Sequence, residues 1–251
     1  MSGLIIDLER KLPDATRHAE LRISLINVAP LDECSGKPIL TDIEYIHFTE
    51  IDLLPRLYEC YDFLILSPQG SPWNSYRDSF RQALDDTASV LRALVLDRNI
   101  PTLGICGGHQ FLASAFGGEL GFIDDSLTDF FGATYPANCQ AERGAVTLTT
   151  LSHDPIFEGV TSHPGEFSAM QNHIEEIKII PPGFINLACS RLSQFQLIRL
   201  PGKIVYGLAF HPERGWRLDG NEEDSLAPDG KRILLNFLKM AYSQKRRSAV
   251  A

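Results

Sequence analysis

Pro101-Thr102-Leu103-Gly104-Ile105-Cys106-Gly107-Gly108-His109-Gln110 runs on into Phe111-Leu112-Ala113-Ser114-Ala115-Phe116-Gly117-Gly118 near the middle of the chain. It reads as a buried strand that ends at a cysteine and turns at once into a helix. Gly104 and Gly108 bracket Cys106 in a G-x-C-x-G pattern, the nucleophile elbow of α/β hydrolytic enzymes with sulfur in place of the serine oxygen. Such a turn is strained and crowded, so the side chains two residues to either side must be small. The N-terminus of the following helix carries a partial positive charge that favours the thiolate, the nucleophilic form. A buried structural cysteine is the plain alternative. The glycine bracket in a strand-to-helix setting favours the reactive one.

Working outward, apolar strands alternate with helical segments, the pattern of a mostly parallel sheet covered on both faces. Leu4 to Glu20 is expected as a short amphipathic leader helix broken near Pro13. Arg22 to Val28 is expected as the first strand, Glu44 to Phe48 as the second, and Asp62 to Ser67 as an almost wholly apolar third ending in the turn Ser67-Pro68-Gln69-Gly70-Ser71-Pro72. Tyr76 to Arg98 reads as a long helix with Phe80, Leu84, Val90, Leu91, Leu94 and Val95 on its apolar face. Beyond the elbow, Ala145 to Thr150, Ile185 to Cys189, Gln194 to Arg199 and Ile204 to Phe210 follow in quick succession. Their short connections imply an antiparallel β portion added to the same sheet. A last helix is expected from Asp229 to Tyr242. The organisation is a leader segment at residues 1–20, one α/β domain at 21–244 and a solvated basic tail at 245–251.

Composition excludes several classes of function. With 23 Lys and Arg against 32 Asp and Glu the formal charge is −9, which argues against nucleic acid and anionic membrane as partners. Apolar residues make up 44%, ample for a core in a chain of 251 residues. The five cysteines, Cys34, Cys60, Cys106, Cys139 and Cys189, are scattered and contain no CxxC pair, so neither a disulfide framework nor a zinc site is expected. The N-terminal run Met1 to Leu12 carries Asp7, Glu9, Arg10 and Lys11 within it and lacks the long apolar centre of a signal peptide, and no segment approaches the ~20 apolar residues of a membrane span. A cytoplasmic location is the expectation.

A cysteine nucleophile needs a base to take its proton and a third group to hold that base, and neither has to be near it in sequence. At the end of the last apolar strand stands Gly207-Leu208-Ala209-Phe210-His211-Pro212-Glu213-Arg214. His211 emerges as the strand leaves the core, and Glu213, two residues on, projects to the same side. A carboxylate there accepts from one imidazole nitrogen and turns the other toward sulfur. Read alone, His-Pro-Glu is equally compatible with a strand-end surface histidine and a solvated charge.

Together, Gly104-Ile105-Cys106-Gly107-Gly108-His109-Gln110 and Ala209-Phe210-His211-Pro212-Glu213 resemble the class I (triad) glutamine amidotransferase family, whose hallmarks are GxCxGxQ and, roughly a hundred residues later, FHPE. The likeness extends from Arg22 to Tyr242. Glu142-Arg143-Gly144 is similar to the family's E-x-G strand entry, Asp154 to Gly159 to its DPLF-x-G turn, and Met170 to His173 to the segment that closes over the glutamine pocket. Within the family the pattern is closest to stand-alone domains similar to the glutaminase part of GMP synthase. The resemblance implies a flavodoxin-like α/β fold and hydrolysis of the L-glutamine side-chain amide through a thioester, with Cys106 as nucleophile, His211 as proton relay and Glu213 as its orienter. It implies oxyanion donors from the Gly107 amide and from the turn at Gln69 or Gly70. Pro68 has no N–H to give, so the donor must be Gln69, Gly70 or Ser71. Gln110 is implied as a pocket residue, and Asn172 and His173 as further candidates.

No P-loop, GxGxxG after the first strand or metal-ligand cluster accompanies these motifs, so no cofactor is expected. The ammonia would then pass to a separate synthase or synthetase chain. Gly121 to Gln140, with Phe122, Phe130, Phe131 and Tyr135, is a candidate for part of the docking surface, and those aromatics read first as core. Two other readings stand beside this one: a γ-glutamyl hydrolase or peptidase acting alone, and a non-catalytic regulatory subunit that has kept the fold.

Overall fold

Phe63–Leu66 and Thr102–Ile105 have every side chain buried and pair in parallel at the middle of a large sheet. The computed structural model describes residues 1–10, 15–54, 58–76, 79–127, 138–160, 165–215 and 227–248. In chain order its strands are β1 (Ser2–Asp7), β2 (Asp42–His47), β3 (Phe63–Leu66), β4 (Thr102–Ile105), β5 (Glu119–Phe122), β6 (Glu142–Thr150), β7 (Glu166–His173), β8 (Glu175–Ile179), β9 (Ile185–Cys189), β10 (Leu197–Arg199) and β11 (Val205–Leu208). The α-helices are α1 (Ala15–Val28), α2 (Arg81–Leu96), α3 (Gly107–Ala115) and α4 (Asp229–Ser248).

Among the described residues nine strands form one sheet in the order β2-β1-β3-β4-β11-β10-β9-β6-β7, and β5 and β8 pair separately. The five strands from β2 to β11 run parallel, and the remaining four are antiparallel. This is the α/β architecture with an antiparallel addition that the strand spacing implied. Parallel strands in such a sheet are buried on both faces, so they read as continuous apolar runs. Alternate residues accordingly serve two cores. Ile5, Phe63, Ile65, Leu103 and Ile105 pack with α1 and α4, whereas Leu4, Ile6, Leu64 and Leu66 pack with α2 and α3.

Two N-terminal expectations are corrected. Leu4 to Glu20 is not a leader helix. Its first residues are β1, hydrogen-bonded on one side to β2 and on the other to β3. The charges from Asp7 onward suggested amphipathicity, but Leu4-Ile5-Ile6 is an interior strand that only the sheet on both sides makes unambiguous. Arg22 to Val28 is not a strand. It is the second half of α1, with Leu21, Ser24, Leu25 and Val28 buried at helical spacing while Ile23 and Ile26 face solvent at 43% and 52% exposure. Its β-branched residues favour a strand locally, and packing against the sheet overrides that preference.

Smaller differences lie at the helix ends and in the second half. The helix expected from Tyr76 begins at Arg81, after a 3-10 turn over Trp73–Tyr76. The last helix continues to Ser248, so Lys245 of the expected tail lies in its final turns with Nζ 2.8 Å from Asp62; residues 249–251 lie outside the described ones. Strands β5, β7 and β8 were not anticipated. Phe122 ends β5 and is buried, while Phe130, Phe131 and Tyr135 lie outside the described residues. Among the described residues no helix is long and apolar enough to cross a membrane. The C-terminal ends of β1, β3, β4 and β11 converge on one rim, where open parallel sheets place ligands.

Candidate active site

At that rim β4 stops at Cys106, whose φ of 50° and ψ of −106° put a non-glycine residue in a conformation L-residues rarely adopt. The Cys106 N–H is held by the Leu208 carbonyl at 2.7 Å, and α3 starts at the next residue. The glycines are there for space. A Cβ on Gly104 would stand 2.5 Å from the Gly108 carbonyl oxygen, and one on Gly108 would overlap the Leu66 carbonyl. A Cβ on Gly107 would overlap the Gln69 side chain and stand 3.0 Å from the Gln69 amide nitrogen. The elbow, β3 and the turn after β3 are thus packed backbone to backbone.

His211 follows β11, and its N–H donates to the Met170 carbonyl at 2.8 Å, tying it to β7. Nδ1 meets Glu213 Oε1 at 2.7 Å, with both side chains buried. His211 Nε2 and Glu213 Oε2 are buried with no hydrogen-bond partner among the described residues. Burial works against the imidazolium, but the charges of Glu213 and Cys106 outweigh it and raise the His211 pKa to about 10. Burial likewise opposes the Glu213 carboxylate, and the facing imidazolium nevertheless holds its pKa below the usual carboxylate value. The Ser24 hydroxyl of α1 donates to the Glu213 carbonyl at 3.1 Å.

The turn after β3 leaves two amides available. Gln69 Oε1 accepts the Ser71 N–H at 2.6 Å, which withdraws Ser71 from any other acceptor. The amides of Gln69, Gly70 and Gly107 have no acceptor among the described residues, and Gln69, Gly70, Cys106 and His211 line one cavity of about 330 Å³. Trp73 holds the turn down: its Nε1–H donates to Gln110 Oε1 at 2.7 Å, and its ring stacks on Phe111.

Gln110, Asn172 and His173 all line this cavity. Gln110 is buried and its amide is occupied at both ends, by Trp73 and by the Glu175 carbonyl at 2.5 Å. Asn172 is exposed, and its carbonyl lies 4.0 Å from Cys106 Sγ. His173 is the last residue of β7, with Nδ1 at 3.0 Å from the Glu175 carbonyl and Nε2 at 3.0 Å from Glu142 Oε2. Both ring nitrogens are therefore spent on the protein. Glu142 also accepts from Ser190 and from Gln196 Nε2, and although burial opposes its charge these donors and His173 hold its pKa below the usual value. His109 points away from Cys106: it is buried, its Nε2 lies 2.9 Å from the Phe195 carbonyl, and burial pushes its pKa down to about 3.

Sequence reasoning missed the part played by Trp73 and by the Glu142 network. Nothing in the periodicity marks Trp73. Glu142 stands in the E-x-G triplet, which was legible as a strand entry and silent about partners from β7 and from the residues leading into β10.

Comparison with known proteins gives a consistent picture. Residues 54–223 match the model of the family described as Glutamine amidotransferase class-I. The chain is 34% identical over 148 residues to a glutamine-hydrolyzing GMP synthase subunit of Methanocaldococcus jannaschii, covering 59% of this chain and 63% of that protein. It is 31% identical over 193 residues to the protein of the same name from Pyrococcus abyssi, covering 76% and 85%. The match thus spans less than two thirds of the length of the Methanocaldococcus jannaschii protein, and 54% of one from Methanococcus maripaludis. Among solved structures, a protein described as a GMP synthase subunit from Thermoplasma acidophilum superposes with a TM-score of 0.66 at 20% identity, covering 99% of this chain and 98% of that one. A glutamine amidotransferase from Thermotoga maritima gives 0.62 at 18%, covering 96% and 98%. At these identities the superpositions speak for the fold.

Proposed function

The chain belongs to the class-I glutamine amidotransferase family, and from that premise we propose that it hydrolyses the side-chain amide of L-glutamine and delivers the ammonia to a separate synthase or synthetase chain. The observation that carries this reading is the strained Cys106 at the head of α3, sharing one cavity with a His211–Glu213 pair whose distal imidazole nitrogen is free. In the proposed reaction the Cys106 thiolate attacks the amide carbon. The carbonyl oxygen takes up negative charge between the Gly107 amide and that of Gln69 or Gly70, donors without acceptors among the described residues. His211 Nε2–H gives its proton to the departing ammonia, and Glu213 holds the ring and stabilises its charge. The S-glutamyl thioester is then opened by water, with His211 taking the water proton, releasing glutamate and restoring the thiolate.

A second chain is supported by the relatives' names, which describe a subunit of a glutamine-hydrolysing synthase. Gln110 and Asn172 are proposed as pocket wall, and His173 as a support for that wall, since its nitrogens are occupied. Five free cysteines and an acidic composition support a cytoplasmic setting.

A diazoketone analogue of glutamine tests the reading. It is expected to add its mass once to the wild-type chain at Cys106 and not to Cys106→Ser, leaving the exposed Cys34 and Cys60 untouched. A wild-type chain that resists labelling with and without a candidate partner would remove the amidotransferase proposal. Turnover of γ-glutamyl dipeptides with glutamine ignored would replace it by the hydrolase reading.

A further inference from the structure

We infer that Arg143 is the specificity residue of this site, binding a carboxylate of the substrate at the cavity mouth; the inference rests on the amide-hydrolysis reading above. A primary amide is uncharged, so geometry at Cys106 alone does not distinguish glutamine from any other amide of similar width. What distinguishes it is the charged end a few bonds from the amide carbon, and the cavity wall must supply a partner for that end.

The wall is acid-rich. Asp7, Glu9, Glu20, Glu175 and Glu213 all line it, and an anionic substrate would be repelled unless a cation is available. Of the basic side chains along the same wall, His211 is paired with Glu213 and His173 with Glu142. Arg214 lies 3.3 Å from Glu20 and 3.7 Å from Glu213. Arg143 alone has no carboxylate within ion-pair distance among the described residues. Its planar guanidinium is also the side chain best shaped to take a carboxylate through two parallel hydrogen bonds.

The backbone holds Arg143 where it can do this. Glu142 on one side is anchored in the interior by His173 and Gln196. Gly144 on the other side takes a φ of +77°, which turns the strand there at no steric cost. Across the β6–β7 ladder Arg143 faces Asn172, whose carbonyl lies 4.0 Å from the Cys106 sulfur. The backbone of Arg143 is thus paired with the residue whose carbonyl lies against the nucleophile. The E-x-G triplet is then a device with three parts: an interior anchor, a presented cation and a turn.

The carboxylate has two possible sources, the α-carboxylate of glutamine or the terminal carboxylate of a γ-glutamyl amino acid, and the test separates them. Wild type, Arg143→Gln and Arg143→Lys are compared by kcat/KM on glutamine against 4-aminobutanamide, which lacks the α-carboxylate, and on γ-glutamylglycine against γ-glutamylmethylamide. A fall of about tenfold or more in the first ratio for Arg143→Gln, partly recovered in Arg143→Lys, identifies the α-carboxylate. The same fall confined to the second ratio identifies the terminal one. Both ratios unchanged overturns the inference. If wild type hydrolyses none of these amides the proposed function fails by itself. The inference is then read by titrating wild type and Arg143→Gln with L-glutamate and γ-glutamylglycine. Weaker binding of either by the variant supports it; equal binding, or no binding by wild type, overturns it.

Discussion

Replacing Glu213 by Gln keeps the length and the hydrogen-bonding oxygen opposite His211 Nδ1 and removes only the charge. In the wild type burial disfavours the imidazolium, yet the pKa of His211 is raised to about 10 by its interactions with Glu213 at 2.7 Å and with Cys106. An opposite charge at such range is worth about one to three pH units, and each unit corresponds to about 1.4 kcal/mol. Taking the carboxylate away lowers the pKa of His211, because the burial that opposes its charge stays. Leaving-group protonation requires the proton on Nε2, so the alkaline limb of kcat/KM for glutamine is expected near pH 10 in wild type. In Glu213→Gln that limb moves about one to three pH units toward neutral. The amide also permits the wrong tautomer of the ring, so kcat falls by about 10² to 10⁴. The assay is glutamate release from neutral to strongly alkaline pH, with diazoketone labelling of Cys106 as a check that the pocket persists. An alkaline limb unmoved from its wild-type position in a variant that still labels would refute the assignment of Glu213 as the charge that holds the His211 proton.

Other consequences follow from the packing. Gly107→Ala sets a methyl group against Gln69 and pushes the turn off the elbow; labelling should survive while kcat drops by about 10² to 10³, the loss seen when one oxyanion donor is displaced. Trp73→Phe keeps the stacking on Phe111 but leaves Gln110 Oε1 without its donor. A cost of about 1–3 kcal/mol is expected in urea unfolding, with KM for glutamine rising more than kcat falls; a variant matching wild type in both would show that the indole N–H is idle. Glu142→Gln breaks a buried pair at a cost of about 3–5 kcal/mol at neutral pH. Because the Glu142 pKa is held down in the folded state, its contribution is present above the ordinary carboxylate value and is lost as pH falls through the lowered one. The stability gap between Glu142→Gln and wild type should therefore narrow on acidification, and a constant gap would argue that the charge contributes nothing.

What was legible beforehand follows from the range of the forces involved. The elbow could be read because its demands are local: a strand, a cysteine and glycines at fixed offsets are needed wherever the turn occurs. His211 and Glu213 were read as a pair on the alternation of an extended segment; the 2.7 Å contact is made, but across a turn that the Arg214 N–H closes on the His211 carbonyl. The N-terminal elements were misread for the opposite reason. Leu4-Ile5-Ile6 and Arg22 to Val28 have similar local preferences, and whether such a run is strand or helix depends on what covers it: β2 and β3 flank the first, whereas the sheet face and α4 receive the second.

By itself, then, the chemistry of the chain implied an α/β domain built on a Cys106 elbow, with a His-Pro-Glu segment at a distant strand end as its expected partner. Tertiary structure decided the rest. Which turn amides remain free depends on a side chain, Gln69, folding back on Ser71. Which histidine keeps a nitrogen for chemistry depends on carboxylates from elsewhere: His173 spends both nitrogens, one of them on Glu142 from the neighbouring strand, whereas His211 retains Nε2. Which cation at the mouth is unspent is known only once every acid along the wall has been located. Spacing along a chain encodes direction, but availability is what remains after all neighbours have taken their hydrogen bonds and charges, and those neighbours are assembled only by the fold.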